Sequence, residues 1–236
     1  MTEFMPHFAP ITVLLFLGSI FAIGIGFLIL FYGAVRRSAL FARLGAGAVL
    51  VITVGYLLLL SCVSLASSEK VLLAGGWKVF CETDCHIWYS VTNTQVTSSL
   101  GSEMKQTFAE GQFVIVRLKT WFNENTVSPN RGNSPLVPAP RHVTLVDDTG
   151  ESYAVSGKGE AALVGSSTAL DQAVRPGESF ATIFVFDVPK TAQGLRLLVA
   201  DADPATNLFI GHENSFLHKK IYLELNSALS MNRSVE

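Results

Sequence analysis

Two long apolar runs open the chain, and a pattern of alternating apolar and polar positions follows them. The first run, "ITVLLFLGSIFAIGIGFLILFY", begins at Ile11, and the second, "LGAGAVLVITVGYLLLLSCVSLA", begins at Leu44; neither contains a charged residue. Each run is long enough to cross a hydrocarbon core of about 30 Å as a helix. The pattern therefore predicts transmembrane helices over residues 11–33 and 44–66.

The short segment between the predicted helices, residues 34–43, sets their orientation. It carries three arginines, Arg36, Arg37 and Arg43. Because arginine and lysine are enriched in cytoplasmic loops, this segment is predicted to be cytoplasmic. The N-terminus, residues 1–10, and everything after the second helix are then extracytoplasmic. A cleavable signal peptide is the alternative for the first run, but its leading residues are acidic rather than basic and no A-x-A-like cleavage site follows it.

Small residues recur inside both apolar runs: Gly18, Ala22 and Gly26 in the first, and Gly45, Gly47 and Gly55 in the second. Small side chains let helix backbones approach closely in lipid. One interpretation is that they pack the two helices of the hairpin against each other. The other is that they dock a larger membrane complex, and the sequence leaves both open.

The chain after the second run is typical of β-structure. "GQFVIVRLKTWF" alternates apolar and polar positions, and further short apolar segments such as "RHVTLVDD", "SFATIFVFDV" and "LRLLVADA" are separated by glycine- and proline-containing turns. Short strands with regular turn signals predict an antiparallel sandwich or barrel. We expect a linker over residues 67–76, a β-sandwich over 77–226, an irregular proline-rich loop over 123–141 and a flexible tail over 227–236.

Composition narrows the possible functions. Only 15% of the residues are charged, against about 25% in soluble proteins, which fits a membrane anchor. The formal net charge is −2 and no basic stripe occurs, so nucleic acid is not an expected partner. The chain has no G-x-S-x-G, H-E-x-x-H or P-loop pattern, so we expect no hydrolase, zincin or nucleotide site and no enzymatic activity.

Three stretches carry a family resemblance: "EGQFVIVRLKTWFNEN", "VTLVDDTGESYAVS" and "VRPGESFATIFVFDVPKTAQGLRLLVAD". They resemble the immunoglobulin-like β-sandwich family typified by the immunoprotective extracellular protein, a family of secreted or tethered bacterial domains. The resemblance covers about residues 77–225. It implies an all-β, antiparallel immunoglobulin-like sandwich, which the two-helix transmembrane hairpin predicted from the apolar runs would hold at the outer face of the bacterial cytoplasmic membrane. It implies an architecture and no reaction or cofactor.

The segment "FCETDCHIWY" places Cys81, Cys85 and His86 close together. Two thiols followed by a histidine can attach a c-type haem, but this spacing is one residue longer than the usual C-x-x-C-H. Fully extended, the two cysteines would lie about 13 Å apart, whereas a disulfide needs Cα atoms roughly 6 Å apart. A turn at "ETD" would bring them together, and the outer side of the membrane is oxidising. A disulfide is the favoured interpretation.

Copper is the third alternative for Cys81, Cys85 and His86. A membrane hairpin followed by an outer β-sandwich is similar to the architecture of subunit II of haem–copper oxidases, and "GGWKVF" is similar to its aromatic segment. That resemblance implies a copper site held by cysteine, histidine and methionine, ligands that suit copper. However, the cysteines here come at the start of the sandwich. Cys85 and His86 would also point to opposite sides of a strand.

The remaining polar clusters rank lower as sites. Asp201, Asp203 and Asn207 have oxygen ligands at a calcium-like spacing but lack the glycine and terminal glutamate of an EF-hand loop, so a capped turn is expected. Asp147, Asp148 and Glu151 are expected to form a solvated hairpin tip. His212 and His218 are expected to be surface residues, and Cys62 an apolar packing residue near the end of the second helix.

These observations favour a non-catalytic, membrane-anchored accessory or stabilising subunit of a larger membrane complex, for example a respiratory or photosynthetic one. Its partners would be the lipid bilayer and other integral membrane subunits. Aromatic residues suit interfaces, and the candidates are Trp77, Trp88, Tyr89, Trp121 and Phe122. The alternative is a redox subunit that binds copper or c-type haem through Cys81, Cys85 and His86. A weaker third hypothesis is an extracytoplasmic sensor or ligand-binding module.

Overall fold

The computed structural model describes residues 3–4, 9–81, 84–102, 104–163 and 167–225. The predicted tail, residues 227–236, lies outside them, as does most of the N-terminal segment 1–10. The chain divides into two compact units. One unit comprises Met1–Pro6, Glu69–Asp203 and Ile221–Glu236, and the other comprises His7–Ser68 and Pro204–Lys220.

The helical unit contains the two predicted apolar helices, α1 (Ala9–Val35) and α2 (Ala39–Leu65). Both are long and apolar enough to cross a membrane. They extend beyond the apolar runs because backbone hydrogen bonding continues through the flanking residues. α2 thus begins at Ala39 and includes Arg43, which the sequence had placed in the loop.

α1 packs closely against α2 at Gly26, Gly33 and Gly45, which together form the packed glycine seam. The sequence analysis had named Gly26 and Gly45 and missed Gly33. A Cβ atom on Gly45 would lie 2.4 Å from the Leu30 backbone nitrogen. A Cβ atom on Gly33 would lie 2.4 Å from the Ala42 nitrogen. Gly18, Gly47 and Gly55 have no atom within 4 Å of such a Cβ, so they lie outside the packed seam.

The other unit is a β-sandwich of ten strands among the described residues. The strands are β1 (Glu3–Phe4), β2 (Lys70–Leu72), β3 (Trp77–Phe80), β4 (Asp84–Ser102), β5 (Lys105–Phe122), β6 (Arg141–Val146), β7 (Ser152–Tyr153), β8 (Ser179–Val188), β9 (Arg196–Asp201) and β10 (Ile221–Glu224). One sheet has the order β1-β3-β4-β5-β8 and the other β2-β10-β9-β6-β7. The predicted all-β antiparallel sandwich is confirmed, and a short helix α3 (Gly157–Ala162) follows β7.

Two edge strands depart from the antiparallel pattern and from the predicted boundaries. β1 pairs in parallel with β3, and β2 pairs in parallel with β10. β2 lies inside the segment expected to be a linker, residues 67–76. Its three residues are too short for an alternation signal, and its partner β10 is about 150 positions away in the sequence, so local pattern does not predict the pairing.

The core is formed by alternate residues of the two sheets. Ile87, Tyr89 and Val91 of β4 point inward, and Leu197 and Val199 of β9 meet them from the other sheet. All five side chains are at most 1% exposed. The turns between strands use glycine where it was expected, since Gly150 and Gly177 have φ angles of 87° and 81°, a region that favours glycine.

The glycine seam generates a matched pair of substitutions. Gly45→Ala would force a methyl group into the Leu30 backbone, and overpacking of this kind costs about 1–3 kcal/mol. Gly47→Ala adds the same methyl group to open space. We expect Gly45→Ala to lower the midpoint of thermal unfolding of the detergent-solubilised chain, followed by circular dichroism. Gly47→Ala should leave it unchanged or slightly raised. Equal destabilisation by both variants would contradict the observed seam.

Candidate functional site

The turn between β3 and β4 is closed by a disulfide between Cys81 and Cys85. Phe80 pairs with Asp84 in the ladder, so the chain reverses within the cysteine pair, and the two Cα atoms lie 4.0 Å apart. This confirms the disulfide predicted from the sequence. Both sulfur atoms are bonded to each other, so in this state neither is a thiolate that could bind copper or add to a haem.

His86 lies next to the disulfide but is engaged elsewhere. Its Nδ1 atom is 2.8 Å from Thr126 Oγ1, and its ring stacks on Phe122 with 5.6 Å between centroids. Among the described residues, no group of three or more His, Cys, Asp or Glu side chains is arranged to hold a metal ion. The geometry therefore gives the copper and haem alternatives no support.

The five candidate interface aromatics fall into two groups. Tyr89 and Phe122 are fully buried and belong to the core. Their side chains point to the same inner face of the sheet as that of Ile87. They are not available as interface anchors, which corrects the sequence interpretation for these two residues. Trp77, Trp88 and Trp121 instead lie on the opposite face of the sheet and contact one another.

This cluster of Trp77, Trp88 and Trp121, here called the tryptophan triad, is an aromatic patch on the outer face of the first sheet. Its ring centroids are 5.4 to 6.2 Å apart, within the range of favourable aromatic pairs. Trp88 is buried beneath the other two and donates from Nε1 to the Cys85 carbonyl oxygen at 3.3 Å. Trp77 and Trp121 are half-exposed, so a role in binding a partner stays a prediction for these two.

Sequence analysis missed a buried charge cluster between the sheets. Lys78 is 1% exposed, and its Nζ atom donates to the carbonyl oxygens of Val199 and Ile221, both at 2.7 Å. Arg141 and Asp201 form an ion pair whose side chains are 0% and 1% exposed. The alternation of "WKVF" could have placed Lys78 inward with Phe80, but a buried lysine is a rare outcome.

One member of this cluster, Asp201, also forms a turn at the end of β9. Asp201 is held by Arg141, and its Oδ1 atom accepts from the Asp203 backbone N–H at 2.9 Å. A carboxylate that accepts from the backbone two residues later forms an Asx-type turn. The turn interpretation is thus the one that the geometry of Asp201 and Asp203 supports.

At the hairpin tip after β6, Asp148 and Glu151 are exposed as expected, whereas Asp147 is only 4% exposed. Its carboxylate accepts from the backbone N–H groups of Thr149 and Glu151 at 2.9 Å each and from the Tyr153 hydroxyl at 2.9 Å. The hydrogen bond from the Thr149 hydroxyl, at 2.7 Å, is the largest influence that lowers the pKa of Asp147. Burial and the bond to Asp147 raise the pKa of Tyr153 to about 12.

The two later histidines differ from the surface positions expected for them. His212 is 2% exposed, because it lies inside the loop from Pro204 to Lys220, where its Nδ1 accepts from the Asn214 backbone N–H at 2.9 Å. His218 is half-buried, and burial lowers its pKa. Cys62, by contrast, is exposed on α2 and free.

The disulfide generates a test of the redox hypothesis. Replacing both Cys81 and Cys85 by serine removes a short loop closure, which should lower the free energy of unfolding by about 2 kcal/mol.

Intact mass spectrometry of the chain from its own membranes should show a gain of two hydrogen atoms on reduction. Free thiols that retain copper, or a haem-sized adduct, would contradict the disulfide and revive the redox alternative.

Asp147 generates a pH dependence of stability. Its pKa is lowered in the folded chain from about 3.9 in the unfolded chain. Its contribution is therefore present above about pH 4 and is lost as the pH falls through the folded value. In urea unfolding between pH 7 and pH 3, Asp147→Asn should be less stable at pH 7 and less sensitive to acid. Asp148→Asn, at the exposed neighbouring carboxylate, is the control and should behave as the parent chain does.

A family model and a solved structure are similar to parts of this chain. A family model described as a domain of unknown function, DUF4352, matches residues 86–207. The solved structure of MPT63, a secreted protein from Mycobacterium tuberculosis, is similar at 16% identity over 58% of this chain and 82% of that one, with a TM-score of 0.34. No curated protein matches the chain.

Neither match points to subunit II of the haem–copper oxidases, so that resemblance is not supported. The family match extends over 122 residues (86 to 207) of the 236 in the chain, which is more than half of it. The chain therefore belongs to the DUF4352 family.

Proposed function

We propose that this protein is a non-catalytic, membrane-anchored accessory subunit whose sandwich binds another integral membrane protein. The observation that carries the proposal is a hairpin extension of the first sheet that exposes two large apolar side chains. The outer parts of β4 and β5, from Ser99 to Phe108, pair with each other, whereas β8 pairs with β5 only from Gln112 onward. We call this extension the arm.

The arm exposes two large apolar side chains. Met104 is 99% exposed at its tip and Phe108 is 65% exposed on β5. Methionine and aromatic residues are enriched at protein interfaces. An adjoining groove of 330 Å³, lined in part by Leu100, Ile115 and Leu163, can receive a side chain of a partner.

The helical unit supports an anchor rather than a cleaved signal sequence. α1 and α2 pack through Gly26 and Gly45, so α1 is one half of a hairpin. Most of the large apolar side chains on both helices are exposed, as expected for a surface that faces lipid. The arginines between the helices favour a cytoplasmic loop and an extracytoplasmic sandwich.

Small residues outside the packed seam support a partner within the membrane. A Cβ atom added to Gly18, Gly47 or Gly55 would meet no atom of the opposite helix within 4 Å. Small residues allow a helix of another subunit to approach the backbone closely. The docking interpretation of these three glycines therefore stays in the proposal, while Gly26 and Gly45 serve the hairpin.

The test is site-specific photo-crosslinking in native membranes. A benzophenone amino acid replaces Met104 or Phe108 in the arm, and Val137, which is 62% exposed elsewhere on the sandwich, is the control position. We expect a discrete product with another integral membrane protein from the arm positions. The same product should be lost when the membranes are dissolved in a denaturing detergent before irradiation.

Two outcomes would contradict the proposal. One is that the arm positions give no product and the chain migrates alone on a native gel after mild extraction. The other is a product from Val137 only, which would move the contact to the proline-rich loop over residues 123–141 and remove the role assigned to the arm.

A further inference from the structure

The connection between β9 and β10, residues 204–220, belongs to the helical unit and not to the sandwich. We call it the β9–β10 loop. The Tyr56 hydroxyl donates to the Leu208 carbonyl oxygen at 2.6 Å, and the rings of Phe16 and Phe209 lie 5.0 Å apart. At its end, the Lys219 backbone N–H donates to Ser67 Oγ at 2.8 Å. The loop therefore contacts the helical hairpin from Tyr56 to just beyond the end of α2.

These contacts lie at the height expected for the outer edge of the hydrocarbon core. Arg36 and Arg37 follow α1 directly and mark its cytoplasmic end. Phe16 precedes Val35 by 19 positions, which is about 29 Å of helix at about 1.5 Å per residue. A hydrocarbon core is about 30 Å thick. Phe16, Tyr56 and the residues they contact thus lie at the outer boundary, where aromatic residues are enriched.

The backbone of the β9–β10 loop is folded into successive tight turns. The N–H groups of Phe209, His212, Ser215 and His218 each donate to a carbonyl oxygen three residues earlier, at 2.9 to 3.2 Å. Side chains add to this network: Asn214 Nδ2 donates to Thr206 Oγ1, and Lys220 Nζ donates to the Glu213 carbonyl oxygen. Irregular backbone can lie close to the hydrocarbon only when its polar groups are satisfied in this way.

The same loop presents two adjacent large apolar side chains outward. Phe216 and Leu217 are 61% and 64% exposed. Leu217 has a φ angle of 65°, a conformation that is unfavourable for a residue of this kind. Lys219, two positions further, is exposed. An apolar pair beside a lysine is the arrangement that interfacial membrane segments use, with the apolar part among acyl chains and the ammonium near phosphates.

We infer that the β9–β10 loop is a third membrane contact, which inserts Phe216 and Leu217 into the headgroup and upper acyl region of the outer leaflet. The occupant is lipid because Ser215, the residue before the pair, donates from its hydroxyl to the carbonyl oxygen of Phe209, whose ring contacts Phe16 of the apolar hairpin. The pair therefore follows directly on a residue held beside the outer boundary of the hydrocarbon core. The inference rests on the proposed transmembrane anchor and is independent of the proposed partner of the arm.

The test measures the depth of nitroxide labels in the full-length chain reconstituted in vesicles of phosphatidylcholine and phosphatidylglycerol. In a Cys62→Ala background, single cysteines replace Phe216 or Leu217 and carry the label. Phe21, which is 72% exposed in the middle of α1, and Val137 on the sandwich are the controls. Collision rates with oxygen, which concentrates in lipid, are compared with those of a water-soluble nickel chelate.

At positions 216 and 217 we expect oxygen collisions to exceed nickel collisions, though by less than at position 21, and position 137 should show the reverse. Labels at 216 and 217 that behave like the one at 137 would overturn the inference. So would immobilised labels that neither reagent reaches, because protein would then cover the pair. In both cases a lipid signal at position 21 would leave the anchor standing, and its loss would refute the anchor itself.

Discussion

The antiparallel pairing of β4 with β5 is the interaction on which the rest of the sandwich depends. It runs from Ile87 opposite Phe122 to Ser102 opposite Lys105. Because side chains alternate along a strand, this one register buries Tyr89 in the core and places Trp88 against Trp121 on the outer face. A slip of one residue would exchange these faces. The same two strands continue beyond β8 after register shifts between Val91 and Asn93 and between Thr97 and Ser99, so the core, the tryptophan triad and the arm are built on one strand pair.

The features that sequence analysis predicted are those with a local cause. Apolar length predicts α1 and α2, and the close spacing of Cys81 and Cys85, together with the extracytoplasmic location expected for them, predicts their bridge. The features that it missed have non-local causes. β2 forms because β10 returns beside it from the far end of the chain, and His212 is buried because the loop around it folds on the helical hairpin. Asp147 was expected in solvent because a hairpin tip is usually exposed, but its own turn supplies four hydrogen-bond donors.

The buried charges between the sheets are better explained by the way they select one alignment of the strands than by a gain in the free energy of unfolding. Removing two cations and a carboxylate from water is expensive, and apolar replacements in such positions are often as stable or more stable. Lys78 nevertheless reaches across the core to carbonyl oxygens of β9 and β10. Arg141 joins β6 to the end of β9 through its ion pair with Asp201. The Arg141 guanidinium also lies 4.1 Å from the centre of the Phe80 ring. Each of these contacts is directional, whereas apolar packing is not. The bonds of Lys78 and the contact of Arg141 with Phe80 therefore connect the two sheets, whereas the Arg141–Asp201 pair joins neighbouring strands of one sheet.

The potentially reactive side chains of the described residues are held by partners within the fold. A reactive site needs side chains that are held in place and can still reach a substrate. The main candidates named from the sequence are held in place by bonds to other groups of the protein. Cys81 and Cys85 bond each other, His86 contacts Thr126, and Asp147 and Asp201 hold turns. The exposed groups include large apolar side chains, Met104 and Phe108 on the arm and Phe216 and Leu217 on the β9–β10 loop, and small residues on the helices. Apolar surface of this sort lowers its free energy by being covered, which is the physical basis of the recognition of protein and lipid proposed for these features.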